Sequence, residues 1–134
     1  MGKYNQAQMF FDFLVSEGYR PEIDEDGDVL FRREGRVYLI LVDEDDDEFF
    51  RLVFPNFWSI DNEFEREKAE KAALYASAKT KVAKVFTVRD NVWASIEMFC
   101  SPLENFKPVF ERSIRALNVA VQSFAEKMRE PTDL

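Results

Sequence analysis

Hydrophobic residues recur at two different spacings along the first half of the chain. Steps of three and four over residues 5–17 predict an amphipathic helix, and Gly18 is placed to end it because glycine accepts the left-handed conformation common at helix C-termini. Shorter apolar runs separated by turn residues then predict four strands, the last ended by Pro55: 20–23, 29–33, 36–42 and 49–54. The third of these is apolar at every position from 37 to 42, so it should lie inside the sheet.

The second half begins with another helix, predicted to start at Asp61 or Asn62 and to end near residue 79. Acidic residues crowd its first turn, where the helix dipole favours them. One face of this helix consists of small residues, namely Ala69, Ala72, Ala73 and Ala76. Alternating apolar and polar residues then predict a hairpin of two strands, 81–88 and 91–101.

The last helix is predicted to start near Asn105 and to tolerate Pro108 in its first turn. It has one apolar stripe with steps of three and four: Phe106, Phe110, Ile114, Leu117, Val121, Phe124 and Met128. The predicted order is therefore αββββαββα, in a single domain over residues 1–134. Layer packing favours an α+β fold with one antiparallel-rich sheet and the helices on one face.

The charge of the chain is concentrated in residues 17–50. This segment holds 13 acidic and four basic residues and so carries a formal charge of −9, while the rest of the chain sums to +1. Its acids fall in predicted turns at the rim of the sheet. A pI near 4.7 argues against nucleic acid and anionic membranes as partners, because both attract clustered Lys and Arg. Neither a signal-peptide pattern nor an apolar run of membrane length is present, so a cytoplasmic protein is expected.

The residue types needed for most catalytic sites are missing from the sequence. There is no histidine, which excludes His-based nucleophilic sites, general bases and metal ligands. The single cysteine, Cys100, falls on the apolar side of its strand and is predicted to be a buried core residue rather than a nucleophile. We therefore expect a protein without enzymatic activity, cofactor or metal. An enzyme that works with carboxylates alone stays open, since acids are abundant.

The acidic turn at residues 24–28 has part of a calcium-loop pattern. Asp24, Asp26 and Asp28 fall at ligand positions of an EF-hand loop, but Arg33 stands where a bidentate Glu is required, and the flanks are predicted strands. The favoured interpretation is a hairpin turn in which Gly27 supplies a positive φ and the acids are solvated. Weak calcium binding from charge density alone is the alternative.

Surplus aromatic residues indicate a candidate partner-binding surface. The chain has 14 Phe and is 15% aromatic, more than a domain of this size buries easily. Large aromatics on half-polar faces suit an interface, although coverage by the helices would explain them equally well. The candidates are Phe54, Phe57, Trp58, Trp93 and Phe99. An acidic rim would steer a basic partner toward them, and its candidate residues are Asp24, Asp26, Asp28, Asp43, Asp45, Asp46 and Asp47.

Several segments, taken together, resemble the YbjN-like family of bacterial sensory-transduction regulators. They are residues 18–31 (GYRPEIDEDGDVLF), Gly35, Tyr38, Phe49-Phe50, Asn56-Phe57-Trp58, Val85-Phe86 and residues 91–95 (NVWAS). The resemblance implies the fold of type III secretion chaperones, a tendency to form homodimers and a role in binding other proteins. It supplies no catalytic residues.

The leading hypothesis from the sequence is a cytoplasmic, non-enzymatic protein-interaction module, chaperone-like or regulatory, that forms a homodimer. In this hypothesis an aromatic sheet edge binds a segment of a protein client, while the acidic rim attracts its basic residues. The alternative hypothesis is a regulatory domain that senses a cation or small ligand through its acidic turns.

Overall fold

The computed structural model of the protein describes residues 2–131. Its helices and strands follow the predicted order αββββαββα. The helices are α1 (Lys3–Ser16), α2 (Glu63–Lys79) and α3 (Phe110–Arg129), and a 3-10 helix (Leu103–Val109) leads into α3. The strands are β1 (Glu22–Ile23), β2 (Val29–Arg33), β3 (Arg36–Ile40), β4 (Phe49–Ser59), β5 (Ala83–Val88) and β6 (Asn91–Phe99).

The six strands form one antiparallel sheet in the order β1-β2-β3-β4-β6-β5. Strand β3 lies inside the sheet between β2 and β4, which confirms the prediction from its apolar sequence. Because neighbouring strands run in opposite directions, the turn 24–28, the loop 43–48 and the last residues of β6 all lie at one end of the sheet. We call this the acidic end.

All the helices lie on one face of the sheet, so the predicted α+β fold is confirmed. The predicted stripe is buried as expected, with five of its side chains fully inaccessible: Phe106, Phe110, Ile114, Leu117 and Phe124. The alanine face of α2 is also buried, which lets the helix approach β5 closely. No helix within residues 2–131 is long and apolar enough to cross a membrane.

Two helix ends are fixed by the residues that the sequence marks for this role. Asn62 caps α2, because its side-chain oxygen accepts a hydrogen bond of 2.8 Å from the backbone N–H of Glu65. Gly18 follows α1 with a φ of 92°, and the N–H of Tyr19 donates to the carbonyl of Leu14. The left-handed conformation predicted at Gly18 is therefore present.

The prediction that Pro55 ends its strand is wrong, because β4 continues to Ser59. Pairing with β3 extends no further than Val53, and the ladder with β6 is interrupted between Phe54 and Trp58. Pro55 lies in this bulge, where the sheet requires no hydrogen bond from a backbone N–H. Four strands are also shorter than predicted, namely β1, β3, β5 and β6.

The last helix also differs from the prediction at its start. Pro108 lies in the 3-10 helix, and the α-helical residues begin at Phe110 rather than near Asn105. The hydroxyl of Ser113 donates to the carbonyl of Val109 at 2.7 Å and so satisfies one backbone group at the junction.

The two outer strands have little free edge. Strand β1 has only two residues. Strand β5 is covered by α2 through two hydrogen bonds between Ser77 and the outward-facing backbone of Val85. The Val85 N–H donates to the Ser77 hydroxyl at 2.8 Å, and this hydroxyl donates to the Val85 carbonyl at 3.3 Å. An exposed strand edge is a template for pairing with other chains, so this contact protects the sheet from edge-to-edge association.

We predict that Ser77→Ala destabilises the protein by about 1–3 kcal/mol, because it leaves the part-buried N–H of Val85 without an acceptor. Urea denaturation followed by circular dichroism measures the change. Ser16→Ala is the matched control, since the exposed Ser16 hydroxyl bonds only within its own helix, and its effect should stay within about 0.5 kcal/mol. Equal effects of the two substitutions would contradict a role for Ser77 at the sheet edge.

Candidate interaction surface

The face of the sheet opposite the helices is not covered by any element within residues 2–131, and we call it the open face. Strand pairing places Leu30, Leu39, Val53, Ser95 and Lys84 in one row across it. Val53 and Ser95 are nevertheless fully inaccessible, because neighbouring side chains close over them. Other apolar or aromatic residues on this face include Val37, Phe49, Phe86, Val88, Trp93 and Phe99.

A charged cluster occupies the middle of the open face around Glu97. Its carboxylate accepts a hydrogen bond of 2.7 Å from Ser95 Oγ, lies 3.2 Å from Lys84 Nζ and 3.8 Å from Arg51 Nε. Burial raises the pKa of Glu97, but the hydrogen bonds from Ser95 and Lys84 and the charge of Arg51 outweigh it, so the net pKa lies below the ordinary value. Glu97 is therefore ionised at neutral pH and holds two basic side chains in place.

The most exposed aromatic residue on the open face is Phe99, whose relative accessibility is 80%. It lies at the acidic end beside Phe49, with ring centroids 5.9 Å apart. Strand β5 begins opposite Ile96, so the last residues of β6 have a neighbouring strand on one side only. Because the N–H of Cys100 donates to the Glu48 carbonyl at 2.7 Å, the aromatic pair is fixed directly next to the acidic loop.

The turn 24–28 is organised by its own carboxylates. Asp24 Oδ1 accepts hydrogen bonds of 3.0 Å from the N–H groups of both Asp26 and Asp28. Asp28 Oδ1 accepts one of 2.8 Å from Val42, which ties the turn to the residues after β3. Burial raises the pKa of Asp28 above its ordinary value, despite the Val42 hydrogen bond and the charge of Lys3.

Three carboxylates of this turn converge. One oxygen each of Asp24, Asp26 and Asp28 lies within 4.8 Å of the others, the only such acidic or cysteine group among the residues that the structure describes. The hydrogen bonds within the turn account for this geometry, since Gly27 has a φ of 83° and its N–H donates to the Asp24 carbonyl at 3.0 Å. The turn predicted from the sequence is present.

The acidic loop after β3 repeats this pattern of local hydrogen bonding. Asp43 Oδ1 accepts from the N–H of Asp45 at 2.9 Å, and Asp46 Oδ1 accepts from Glu48 at 3.0 Å. The side chain of Gln6 donates to the Asp43 carbonyl at 3.0 Å and connects the loop to α1. Both predicted parts of the acidic rim therefore lie at the same end of the sheet.

The five candidate aromatic residues do not form a single surface. Phe57 and Trp58 lie on the helix side, where both rings make edge contacts with Phe124 at centroid distances of 5.4 Å. Phe54 stacks on Phe57 at 5.5 Å and is also part of the helix-side core. Substituting Phe57 and Trp58 would therefore disturb packing, and these two residues do not provide a test of binding that leaves the fold intact.

Trp93 and Phe99 do lie on the open face, but at different places. The indole N–H of Trp93 donates to Asn56 at 2.9 Å, across the bulge of β4. Sequence reasoning missed Phe49, which lies directly opposite Phe99 in the ladder. The alternation of Phe49, Arg51 and Val53 along β4 was the signal that could have placed it on this face.

Cys100 is buried as predicted, and desolvation raises the pKa of its thiol above the ordinary value. The thiol is therefore protonated at neutral pH, and burial limits its access to substrates.

No protein-family model and no curated protein matches this chain. Among solved structures, the fold is similar to that of an uncharacterized protein from Methanothermobacter thermautotrophicus, with a TM-score of 0.53 and 15% sequence identity. The match covers 92% of this chain and 94% of that chain. At this identity the likeness shows a shared fold and carries no argument about partners or activity.

The hydrogen bond from Val42 to Asp28 generates a prediction about stability. Asp28→Asn keeps an oxygen that can accept from Val42 and removes a charge whose burial is unfavourable, so the free energy of unfolding at pH 7 should stay the same or rise. Asp28→Ala leaves the Val42 N–H without its acceptor and should lower the free energy of unfolding by about 1–3 kcal/mol. Urea denaturation of both variants measures the difference.

The pH dependence of this pair follows from the raised pKa of Asp28. The folded protein holds the Asp28 proton to higher pH than the unfolded chain, so stability falls as the pH rises through that range. Any advantage of Asp28→Asn should therefore shrink as the pH is lowered to about 4. An Asn variant less stable than the native protein at pH 7 would show that the ion pair with Lys3, at 3.9 Å, outweighs the burial cost.

Proposed function

We propose that this protein is a non-enzymatic protein-interaction module, chaperone-like or regulatory, which binds an amphipathic segment of a partner on its open face. The resemblance to the YbjN-like family and to the type III secretion chaperone fold supports the proposal. In this proposal the protein works in the cytoplasm and forms a homodimer, as the resemblance implies.

The observation that carries the proposal is the position of Phe99. A phenylalanine that is 80% exposed and pairs with Phe49 offers apolar area that folding has not used. Aromatic side chains of this kind provide much of the binding energy at protein interfaces. An apolar residue of the partner would cover the two rings and remove them from water.

The acidic end would make this surface prefer basic partner segments over acidic ones. The loop 43–48 borders the aromatic pair, the turn 24–28 lies at the same end of the sheet, and the formal net charge of the chain is −8. A segment with Lys or Arg beside its apolar residues would be drawn toward this end, while acidic segments would be repelled. Because the acids are mostly exposed, the attraction should weaken as salt screens it.

The non-enzymatic part of the proposal rests on the chemistry of the residues. The chain has no histidine, and its single cysteine is buried with a raised pKa. The carboxylates of the acidic end are engaged mainly with backbone N–H groups, as in Asp24, Asp28, Asp43 and Asp46. These roles suit turn formation and long-range attraction rather than proton transfer.

One observation favours a second candidate function, the sensing of a divalent cation. The carboxylate oxygens of Asp24, Asp26 and Asp28 approach one another within 4.8 Å, a distance that a calcium ion could bridge. The turn borders the open face, so a bound cation would reduce the negative charge of the acidic end.

We predict that Phe99→Ser weakens the binding of a peptide with alternating Leu and Lys residues by at least about tenfold, because it removes the exposed ring that the peptide would cover. Phe64→Ser is the matched control, since Phe64 is 64% exposed but lies on α2, away from the open face. The affinity of the Phe64→Ser variant for the peptide should stay within about twofold of that of the native protein. Fluorescence anisotropy with a labelled peptide at several salt concentrations gives the affinities.

Equal losses in the two variants would place peptide binding elsewhere. Light scattering on the same samples tests the homodimer and shows whether a second copy occupies the open face. In that case Phe99→Ser, but not Phe64→Ser, should shift the mass toward that of a monomer.

The cation candidate predicts a separate result. If the turn 24–28 binds calcium, about 1 mM calcium should raise the melting temperature of the protein. The reason is that a ligand which binds the folded protein more tightly than the unfolded chain stabilises the fold. Asp26→Asn should abolish the rise, because it removes the carboxylate that accepts none of the hydrogen bonds described above. An unchanged melting temperature, which the interaction-module proposal predicts, would exclude this second function.

A further inference from the structure

An apolar cavity lies on the helix side of the sheet, away from the open face. Its volume is about 350 Å³, and it lies between the end of β6, the residues that precede β5 and the first turns of α3. It exists because β5 begins opposite Ile96, which leaves Met98 with a neighbouring strand, β4, on one side only. Its apolar wall consists of Val82, Ile96, Met98, Val109 and Ala116.

A second cavity of about 290 Å³ continues the first along α3. The two share Lys81 and Ala116, and the second is bordered further along by Val119, which is 53% exposed. We call the two together the α3 groove. Binding sites for small molecules start at roughly 300 Å³, so the groove has the size for a slender ligand rather than a large one.

The charge of the α3 groove is opposite to that of the chain. Lys79, Lys81 and Arg112 line it, and no acidic side chain of residues 2–131 does, although the chain has a formal net charge of −8. Lys79 donates to the Tyr75 hydroxyl at 2.8 Å. The side chains of Lys81 and Arg112 have no ion pair or hydrogen bond with any other described residue. Two cations are therefore available at the mouth of an apolar groove.

The wall of the groove contains a strained residue. Val82 has a φ of 66°, a conformation that β-branched residues rarely adopt, and the N–H of Ala83 donates to the Lys81 carbonyl at 2.7 Å across it. The Val82 side chain is also 59% exposed, so its burial in the core does not account for the strain. Strained backbone of this kind is concentrated at ligand sites.

We propose that the α3 groove binds a small molecule with an unbranched aliphatic chain and one terminal carboxylate. The aliphatic wall and the length of the groove suit such a chain. Arg112 and Lys81 bind the carboxylate, and a guanidinium can do so with two parallel hydrogen bonds. Because this site lies on the other side of the sheet from Phe99, it does not depend on the proposed function of the open face.

The test uses the full protein and a series of straight-chain carboxylates from hexanoate to decanoate, each below its micelle concentration, in isothermal titration calorimetry. One molecule should bind per chain, with affinity rising about fourfold for each added methylene until the groove is full. Absence of saturable one-to-one binding of decanoate would overturn the proposal.

Variants distinguish binding in the groove from adsorption elsewhere. Arg112→Gln combined with Lys81→Gln should weaken the binding of decanoate by about tenfold or more. The affinity for decan-1-ol, which has no charge, should stay nearly unchanged. Arg115→Gln is the matched control, since Arg115 is an exposed residue of α3 that does not line the groove. Equal effects of the groove and control substitutions on decanoate would overturn the proposal.

A second variant addresses the strained wall. Val82→Gly relieves the unfavourable φ and removes part of the wall, so it should melt at or above the temperature of the native protein and yet bind decanoate at least about threefold more weakly. Loss of affinity without loss of stability is a result that a purely structural role of Val82 would not produce. Unchanged affinity in this variant would overturn the assignment of the wall.

Discussion

The apolar stripe of α3 packs against β5, β6 and α2, and the rest of the structure is arranged around this contact. Fully buried Phe110 and Phe124 stand near its two ends, and each is surrounded by other rings. Burying a large apolar side chain contributes about 1.5–3 kcal/mol, so this stripe is a major source of stability. It also draws every helix to one side of the sheet, which leaves the opposite side to be covered by its own side chains or by a partner.

The regular parts of this fold were predictable from the sequence because their side chains repeat with the period of the element. The steps of three and four from Phe110 to Met128 describe α3, and Asn62 and Gly18 mark the helix ends. The bulge in β4 was not predictable, because it depends on pairing with a distant strand. Three residues separate Phe54 from Trp58, but only Trp93 separates their partners in β6.

This bulge explains why the candidate surface was only partly predicted. Two extra residues on β4, with Asn56 at a φ of 52°, break the alternation of sides and place Phe57 next to Trp58 against α3. The residues around Pro55 do not by themselves indicate that the side chains change sides here. Phe99 lies on β6, away from the bulge, and simple alternation along that strand places it on the face opposite Ile96.

The contact between Ser77 and Val85 has a consequence for the aggregation of the protein in solution. While α2 stays in place, the sheet cannot grow by adding a strand from another molecule at β5. Local opening of α2 costs less free energy than global unfolding, and it would expose the whole length of β5 at once. Resistance to fibril formation is therefore set by the attachment of one helix, rather than by the melting temperature of the domain.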